Sequence, residues 1–215
     1  MKIIFDFDHT LFSAKRLYSA LKEAFFKLGV DENLFQETFE KSKGKSRDYK
    51  PEKQFKLIHK VRPDIKIGKL KKSFEKILKT APKFLYNDVL GFFKKYSKEA
   101  DLILLSYGEE KFQKDKIKAS KVGKYFKEII ITRDIEKLKP FRKIFTHSSR
   151  GRVPEKIIFV EDNPVALSET KKVFKNVITI RINRGEGKYS REPDNSKIDF
   201  SIKNLKELDK ILKSL

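Results

Sequence analysis

Residues 1–11 read Met1-Lys2-Ile3-Ile4-Phe5-Asp6-Phe7-Asp8-His9-Thr10-Leu11 (MKIIFDFDHTL). A short run of this kind, nearly continuous in apolar character, is expected of a strand covered on both faces. Charges interrupt it after a few residues, which fits a buried strand rather than a signal peptide. It closes on two carboxylates spaced by two. In an open α/β sheet, ligands bind beyond the carboxyl ends of the strands. Asp6 and Asp8 can therefore turn into one site, one as nucleophile and the other giving and taking protons. An N-cap or turn pair is the competing structural role for the same residues.

Four more runs share the character of the first, which is taken as Lys2–Phe7: Asp101–Ser106, Glu128–Thr132, Lys156–Val160 and Val177–Ile182. Helical patterns at Asn87–Ser97, Glu110–Val122 and Ala166–Phe174 separate the later ones, and a last helix is expected at Ile202–Leu215. Strand–helix alternation predicts an α/β fold with a doubly wound, parallel, five-stranded sheet.

One segment breaks the alternation. The roughly ninety residues between the first two strands contain no convincing strand, although a crossover needs only about a dozen. Leu17, Leu21, Phe25 and Leu28 follow helical spacing, with Gly29 as a stop. Asp31 reads as the N-cap of a second helix carrying Leu34, Phe35 and Phe39. Phe55, Ile58 and Val61 mark a third, ended by Pro63, and Leu70, Phe74, Ile77 and Leu78 a fourth, ended before Pro82. The polar stretch Lys41–Pro51 is expected to be a loop. The division expected is a catalytic core of residues 1–14 and 85–215 with an inserted α-helical cap subdomain at 15–84. The chain crossings near Phe12–Lys15 and Phe84–Asp88 are the places for a hinge.

The 215 residues are 39% hydrophobic, enough for a packed core. There is no Cys, which excludes a disulfide framework, a Cys-ligated zinc site and a thiol nucleophile. No stretch approaches the roughly 18 apolar residues of a membrane span, so a cytoplasmic protein without membrane contact is expected. The net charge of +21 invites a polyanionic partner. The basic residues are mostly Lys, spread along the chain among Glu and Asp, and this favours a biased composition over nucleic-acid binding. A positive field still draws in phosphorylated substrates.

The other strand ends carry the chemistry further. Ser106-Tyr107-Gly108 closes the second strand with a hydroxyl and free amides able to hold an anion. Lys139-Pro140 follows the third, and the fourth runs into Glu161-Asp162-Asn163-Pro164. Two acids beside the first pair make an oxygen-rich site suited to Mg²⁺. In this order, these residues resemble the haloacid dehalogenase superfamily over nearly the whole chain. Its Asp-x-Asp-x-Thr motif is matched by Asp6, Asp8, Thr10 and Leu11. Its Ser or Thr at the next core strand is matched by Ser106, its Lys by Lys139, and its acidic pair by Glu161 and Asp162.

The resemblance implies a Mg²⁺-dependent phosphatase acting on a small phosphomonoester through an aspartyl-phosphate on Asp6. Asp8 would protonate the leaving oxygen and then deprotonate water. Ser106, Tyr107 and Lys139 would hold phosphate oxygens. Asp6, the Asp8 carbonyl, Asp162 and, directly or through water, Glu161 would hold the metal. Members that cleave carbon–halogen bonds lack the second Asp, so Asp8 favours phosphoryl chemistry. The placement of the insert resembles that of phosphoglycolate phosphatases and β-phosphoglucomutases. A phosphatase of nucleic-acid ends or nucleotides and a phosphomutase are the alternatives, and a monomer or weak dimer is expected.

Three features depart from the pattern. His9 stands where the family often has Gly and is expected to point away from the phosphate. Glu161 stands where Gly or Asp is common. Lys137 is a rival to Lys139, set aside because Pro140 follows Lys139 and because of its spacing to Glu161. His59 and His147 lack partners at metal spacing and read as ordinary surface or packing residues. Arg184-Gly185-Glu186-Gly187-Lys188 is too short and misplaced for a dinucleotide fingerprint and reads as a mobile rim near the site.

Overall fold

A computed structural model of the chain describes residues 1–44, 48–148 and 156–215, with the backbone alone at 145–148. Six strands, all parallel, form one sheet. They are β1 (Lys2–Phe5), β2 (Asp101–Tyr107), β3 (Glu128–Thr132), β4 (Ile157–Glu161), β5 (Ile178–Ile182) and β6 (Phe200–Ile202), in the order β3-β2-β1-β4-β5-β6. The order reverses at β1, flanked by β2 and β4, and such a switch point is where open sheets of this kind bind ligands.

Two compact units are present. The first comprises residues 1–13, 85–107 and 122–215. It holds the sheet with helices α5 (Val89–Tyr96), α7 (Leu138–Ser148), α8 (Pro164–Val173) and α9 (Leu205–Ser214). Alternation along β1 divides its core. Ile4 joins Ile103, Leu105, Phe159, Phe141 of α7 and Leu167 of α8 on one face. On the other face Phe5 meets Phe92 and Phe93 of α5 edge-on, at 5.8 and 5.4 Å between ring centroids. By register, Glu161 falls beside Asp6, and both lie on the face that carries α7.

The second unit comprises residues 14–84 and 108–121. Its helices are α1 (Ala14–Phe26), α2 (Glu32–Ser42), α3 (Pro51–Val61), α4 (Ile67–Leu78) and α6 (Glu110–Ser120). Of the expected apolar stripes, Leu17, Leu21, Phe25, Leu34, Phe35, Phe55, Ile58, Leu70, Phe74 and Leu78 are buried and Leu28, Phe39 and Ile77 half-buried, whereas Val61, the last residue of α3, is exposed. Asp31 caps α2, accepting from the amide of Leu34 at 2.9 Å. Gly29 turns the chain at φ 86°. Of the loop expected at Lys41–Pro51, residues 45–47 lie outside the described residues, while Lys41 and Ser42 still belong to α2.

Three expectations are corrected. The sheet has six strands rather than five. β6 is three residues long with only Ile202 buried, so it has no apolar run to announce it. It is fixed instead by Asp199, whose Oδ2 accepts from Thr179 N and Oγ1 and from Lys171 Nζ. Secondly, α7 fills the connection between β3 and β4, where no helix was expected. Pro140 sits in its first turn, where no intrahelical amide bond is lost. Thirdly, α6 belongs to the helical unit, because Phe112 packs on Tyr49 and Phe74 at 5.3 and 5.8 Å.

Candidate active site

The carboxyl ends of β1, β2 and β4, together with the segment that follows β3, carry the candidate residues. Asp6 follows β1 directly and is buried, its amide donating to Val160 O at 3.0 Å. Asp8 and His9 lie in a tight loop closed by Leu11 N and Phe12 N, both donating to Phe7 O, and by His9 N donating to Phe12 O. Asp8 is half-buried. Glu161 is the last residue of β4, and Asp162 follows it. Asp6, Glu161 and Asp162 each offer a carboxylate oxygen, and these oxygens lie within 4.8 Å of one another.

The lysine that reaches this cluster is Lys137. Its Nζ donates to Asp6 Oδ1 and to Glu161 Oε2, both at 2.5 Å, with all three side chains almost wholly buried. Lys139, the expected phosphate ligand, is exposed on the first turn of α7. The reason is local. Asp134 caps the start of this helix, its carboxylate accepting from the amides of Glu136 and Lys139 and its carbonyl from Lys137 N. The chain then passes through a left-handed residue, Lys137, at φ 60°. That twist turns the Lys137 side chain under the helix, towards the sheet face shared by Asp6 and Glu161. Pro140 marks the first helical turn and does not mark the lysine.

Glu161 is engaged at both oxygens, since Oε1 also accepts from Asn163 N at 3.1 Å. Asn163 in turn caps α8 through its Oδ1, which accepts from Val165 N. Ser106 is buried in the last part of β2, and its Oγ has no hydrogen-bond partner among the described residues. Tyr107 closes β2 and is half-buried. His59 Nδ1 lies 3.0 Å from the carbonyl of Ile65, a packing role, and the His147 side chain is outside the described residues.

The electrostatics are those of a site short of positive charge. Burial, and after it the charge of Glu161, lift Asp6 to about 7 against the pull of Lys137. Asp162 is lifted well above the usual carboxylate range by burial and by Glu161 and Asp6. Burial works to lower Lys137, but Asp6 and Glu161 outweigh it and hold the ammonium above the ordinary lysine range. Three clustered carboxylates face one ammonium, with Asp8 near enough to raise Asp6 further. Hard oxygen ligands with excess negative charge fit a divalent cation such as Mg²⁺.

The segment after β5, expected to be a mobile rim, is tied down. Arg184 donates from Nε to Thr10 O at 3.1 Å and from its two Nη atoms to the Asp88 carboxylate at 2.7 and 3.1 Å. Its guanidinium lies 4.2 Å from the Tyr86 ring centroid, and Tyr86 OH donates to Glu186 Oε1. Tyr189, further along, is pushed up to about 12 by burial and by Asp162 and Glu161, which places its phenol beside the acidic cluster. The pairings of Glu186 with Tyr86 and of Arg184 with Asp88 leave no spacing to read in the sequence, because the partners lie about a hundred residues apart.

A family model described as haloacid dehalogenase-like hydrolase matches residues 3–180. Among solved structures, the chain is similar to a protein assigned as a haloacid dehalogenase-like hydrolase from Burkholderia xenovorans LB400. The TM-score is 0.75 at 17% identity, over 99% of this chain and 96% of that one. It is also similar to the HAD-hydrolase YfnB from Bacillus subtilis bound to magnesium, with TM-score 0.64 at 15% identity over 98% and 97% of the two chains. L-2-haloacid dehalogenase from Xanthobacter autotrophicus, with chloropropionic acid covalently bound, gives TM-score 0.62 at 12% identity over 100% and 98%. No curated protein matches the sequence. With the match running from β1 into β5, through all four strand ends that build the site, the chain belongs to the haloacid dehalogenase-like hydrolases.

Proposed function

We propose that the protein is a phosphatase that hydrolyses a small phosphomonoester through a phosphoryl adduct on Asp6. The observation that carries this reading is Asp8, two residues beyond the buried nucleophile candidate and half-exposed at the same strand end. A covalent adduct on Asp6 alone would serve a dehalogenase, and the Xanthobacter relative is one that holds chloropropionic acid covalently. A second carboxylate placed for proton transfer is needed when an alkoxide leaves.

In this mechanism Asp6 attacks phosphorus, the bond from phosphorus to the leaving oxygen breaks, and Asp8 delivers a proton to that oxygen. Asp8 then takes a proton from water as the water attacks phosphorus, which releases phosphate and restores Asp6. Lys137 neutralises Asp6 and the phosphoryl oxygens together, and the unpartnered Ser106 Oγ donates to one of those oxygens. Asp6, the Asp8 carbonyl and Asp162 would hold Mg²⁺, an ion that one structural relative binds, while Glu161 holds Lys137 in place. Bound there, the cation screens the repulsion between the Asp6 carboxylate and the phosphate.

Residues 14–84 serve as a cap in this reading, an assignment that rests on the resemblance of the insert. The positive net charge supports a phosphorylated substrate and does not distinguish a metabolite from a nucleotide. No helix of the described residues is long and apolar enough to cross a membrane. The test is hydrolysis of para-nitrophenyl phosphate with and without Mg²⁺, for the wild type and Asp6→Asn. Turnover that needs both the metal and Asp6 supports the reading. A wild type inactive on this ester and on a phosphometabolite panel overturns it.

A further inference from the structure

We propose that His9 and Glu186 form a substrate-positioning pair, in which Glu186 orients the imidazole and His9 contacts the leaving-group side of the phosphomonoester; this rests on the phosphatase reading above. His9 occupies a left-handed backbone conformation, φ 61°, that favours glycine. A bulky side chain held there is over-determined by its surroundings. One wall of its slot is Gly187, at φ 89°, where an added Cβ would lie 2.8 Å from His9 Cγ. The other is Glu186, whose Oε1 lies 3.6 Å from His9 Nδ1. Glu186 is itself fixed by hydrogen bonds from Tyr86 and Ser13.

The Nδ1 edge of the ring is buried and faces Glu186 without a hydrogen bond among the described residues, while the side chain as a whole keeps 22% exposure. The exposed part of the ring lies away from Nδ1. It belongs to the residue next to Asp8, the group assigned to protonate the leaving oxygen. Asp162 and Glu186 line a common crevice with Arg184 and Tyr189, so the Glu186 end of the pair lies near one member of the acidic cluster. Arg184 holds this segment to the Asp6–Thr10 loop through Thr10 O, so the distance between pair and nucleophile is fixed by the fold. A donor in this place touches the organic part of the ester and leaves the phosphoryl oxygens to Lys137 and Ser106.

The test compares para-nitrophenyl phosphate turnover with competitive inhibition by inorganic phosphate, which has no leaving group. In Mg²⁺-containing buffer, His9→Ala is expected to lower kcat/KM by about tenfold, the loss of one hydrogen bond, with the phosphate inhibition constant changed by less than about twofold. Glu186→Gln and Gly187→Ala, which release or displace the ring, give the same split. His9→Gln, whose amide reaches the Nε2 position, restores most of the loss. The double variant His9→Ala/Glu186→Gln is no worse than either single, because the two act as one unit. Unchanged kcat/KM in His9→Ala overturns the pair and leaves the phosphatase reading standing. A parallel rise in the phosphate inhibition constant also overturns it, by placing His9 on the phosphoryl group or in the fold. A wild type without phosphatase activity overturns both assignments.

Discussion

Replacing Lys137 by Met removes one ammonium and keeps most of the side-chain volume. The change strands Asp6 and Glu161, whose side chains are 7% and 2% exposed, as adjacent carboxylates without their shared cation. Removing one partner of a buried ion pair costs about 3–5 kcal/mol. The low end applies here, because Asp6 already titrates near 7 and escapes part of the penalty by taking up a proton. Urea unfolding in EDTA at pH 8 should therefore show a loss of about 3 kcal/mol, shrinking towards pH 6 as Asp6 protonates. Activity should fall by about 100-fold to 1,000-fold, as when an electrostatic stabiliser of phosphoryl charge is removed. Lys139→Met, on the exposed first turn of α7, should stay within about 0.5 kcal/mol and close to wild-type turnover. A Lys139→Met enzyme that is inactive beside an active, stable Lys137→Met would refute the assignment.

Other outcomes follow from the same geometry. Asp6 is raised from 3.8 to about 7 in the metal-free fold, so the folded state holds a proton that the unfolded chain releases. Its contribution to stability is complete below pH 3.8 and is lost as pH rises through about 7, so the EDTA-treated protein should melt progressively lower from pH 5 to pH 8, with a shallower slope in Asp6→Asn. Ser106→Ala deletes a hydroxyl that has no hydrogen-bond partner among the described residues; thermal melts should shift by less than about 0.5 kcal/mol equivalent, while kcat/KM drops by about 10-fold to 100-fold. Asp88→Asn breaks the bidentate pair with Arg184, whose side chains are 9% and 5% exposed, and chemical denaturation should show a loss of about 3 kcal/mol.

Much of this fold was legible because its signals are local. The apolar strands, the amphipathic helices of the insert and the carboxylates at strand ends each announce themselves within a dozen residues. What escaped depended on distant partners or on backbone twist. β6 is held by the Asp199 carboxylate reaching Thr179, twenty positions away, and not by an apolar run. α7 carries Pro140 in its first turn, where it costs no intrahelical hydrogen bond. The choice between Lys137 and Lys139 turns on the left-handed backbone of Lys137 just before α7, which no local pattern marks. Sequence spacing puts both lysines within reach of the site, and the cap formed by Asp134 decides which one turns inward. The Arg184 and Glu186 contacts join segments nearly a hundred residues apart or more, beyond any single-sequence pattern.

The most direct test of the central claim is acid-quench mass spectrometry of Asp8→Asn during turnover of para-nitrophenyl phosphate with Mg²⁺. Nitrophenolate leaves without needing a proton, so the first step should proceed in this variant, while the second loses the base that activates water. The expected result is a burst of nitrophenolate close to one equivalent per chain, with a phosphoryl adduct on the peptide containing Asp6. A steady rate without a burst, and no adduct or an adduct on another residue, would contradict Asp6 as the nucleophile.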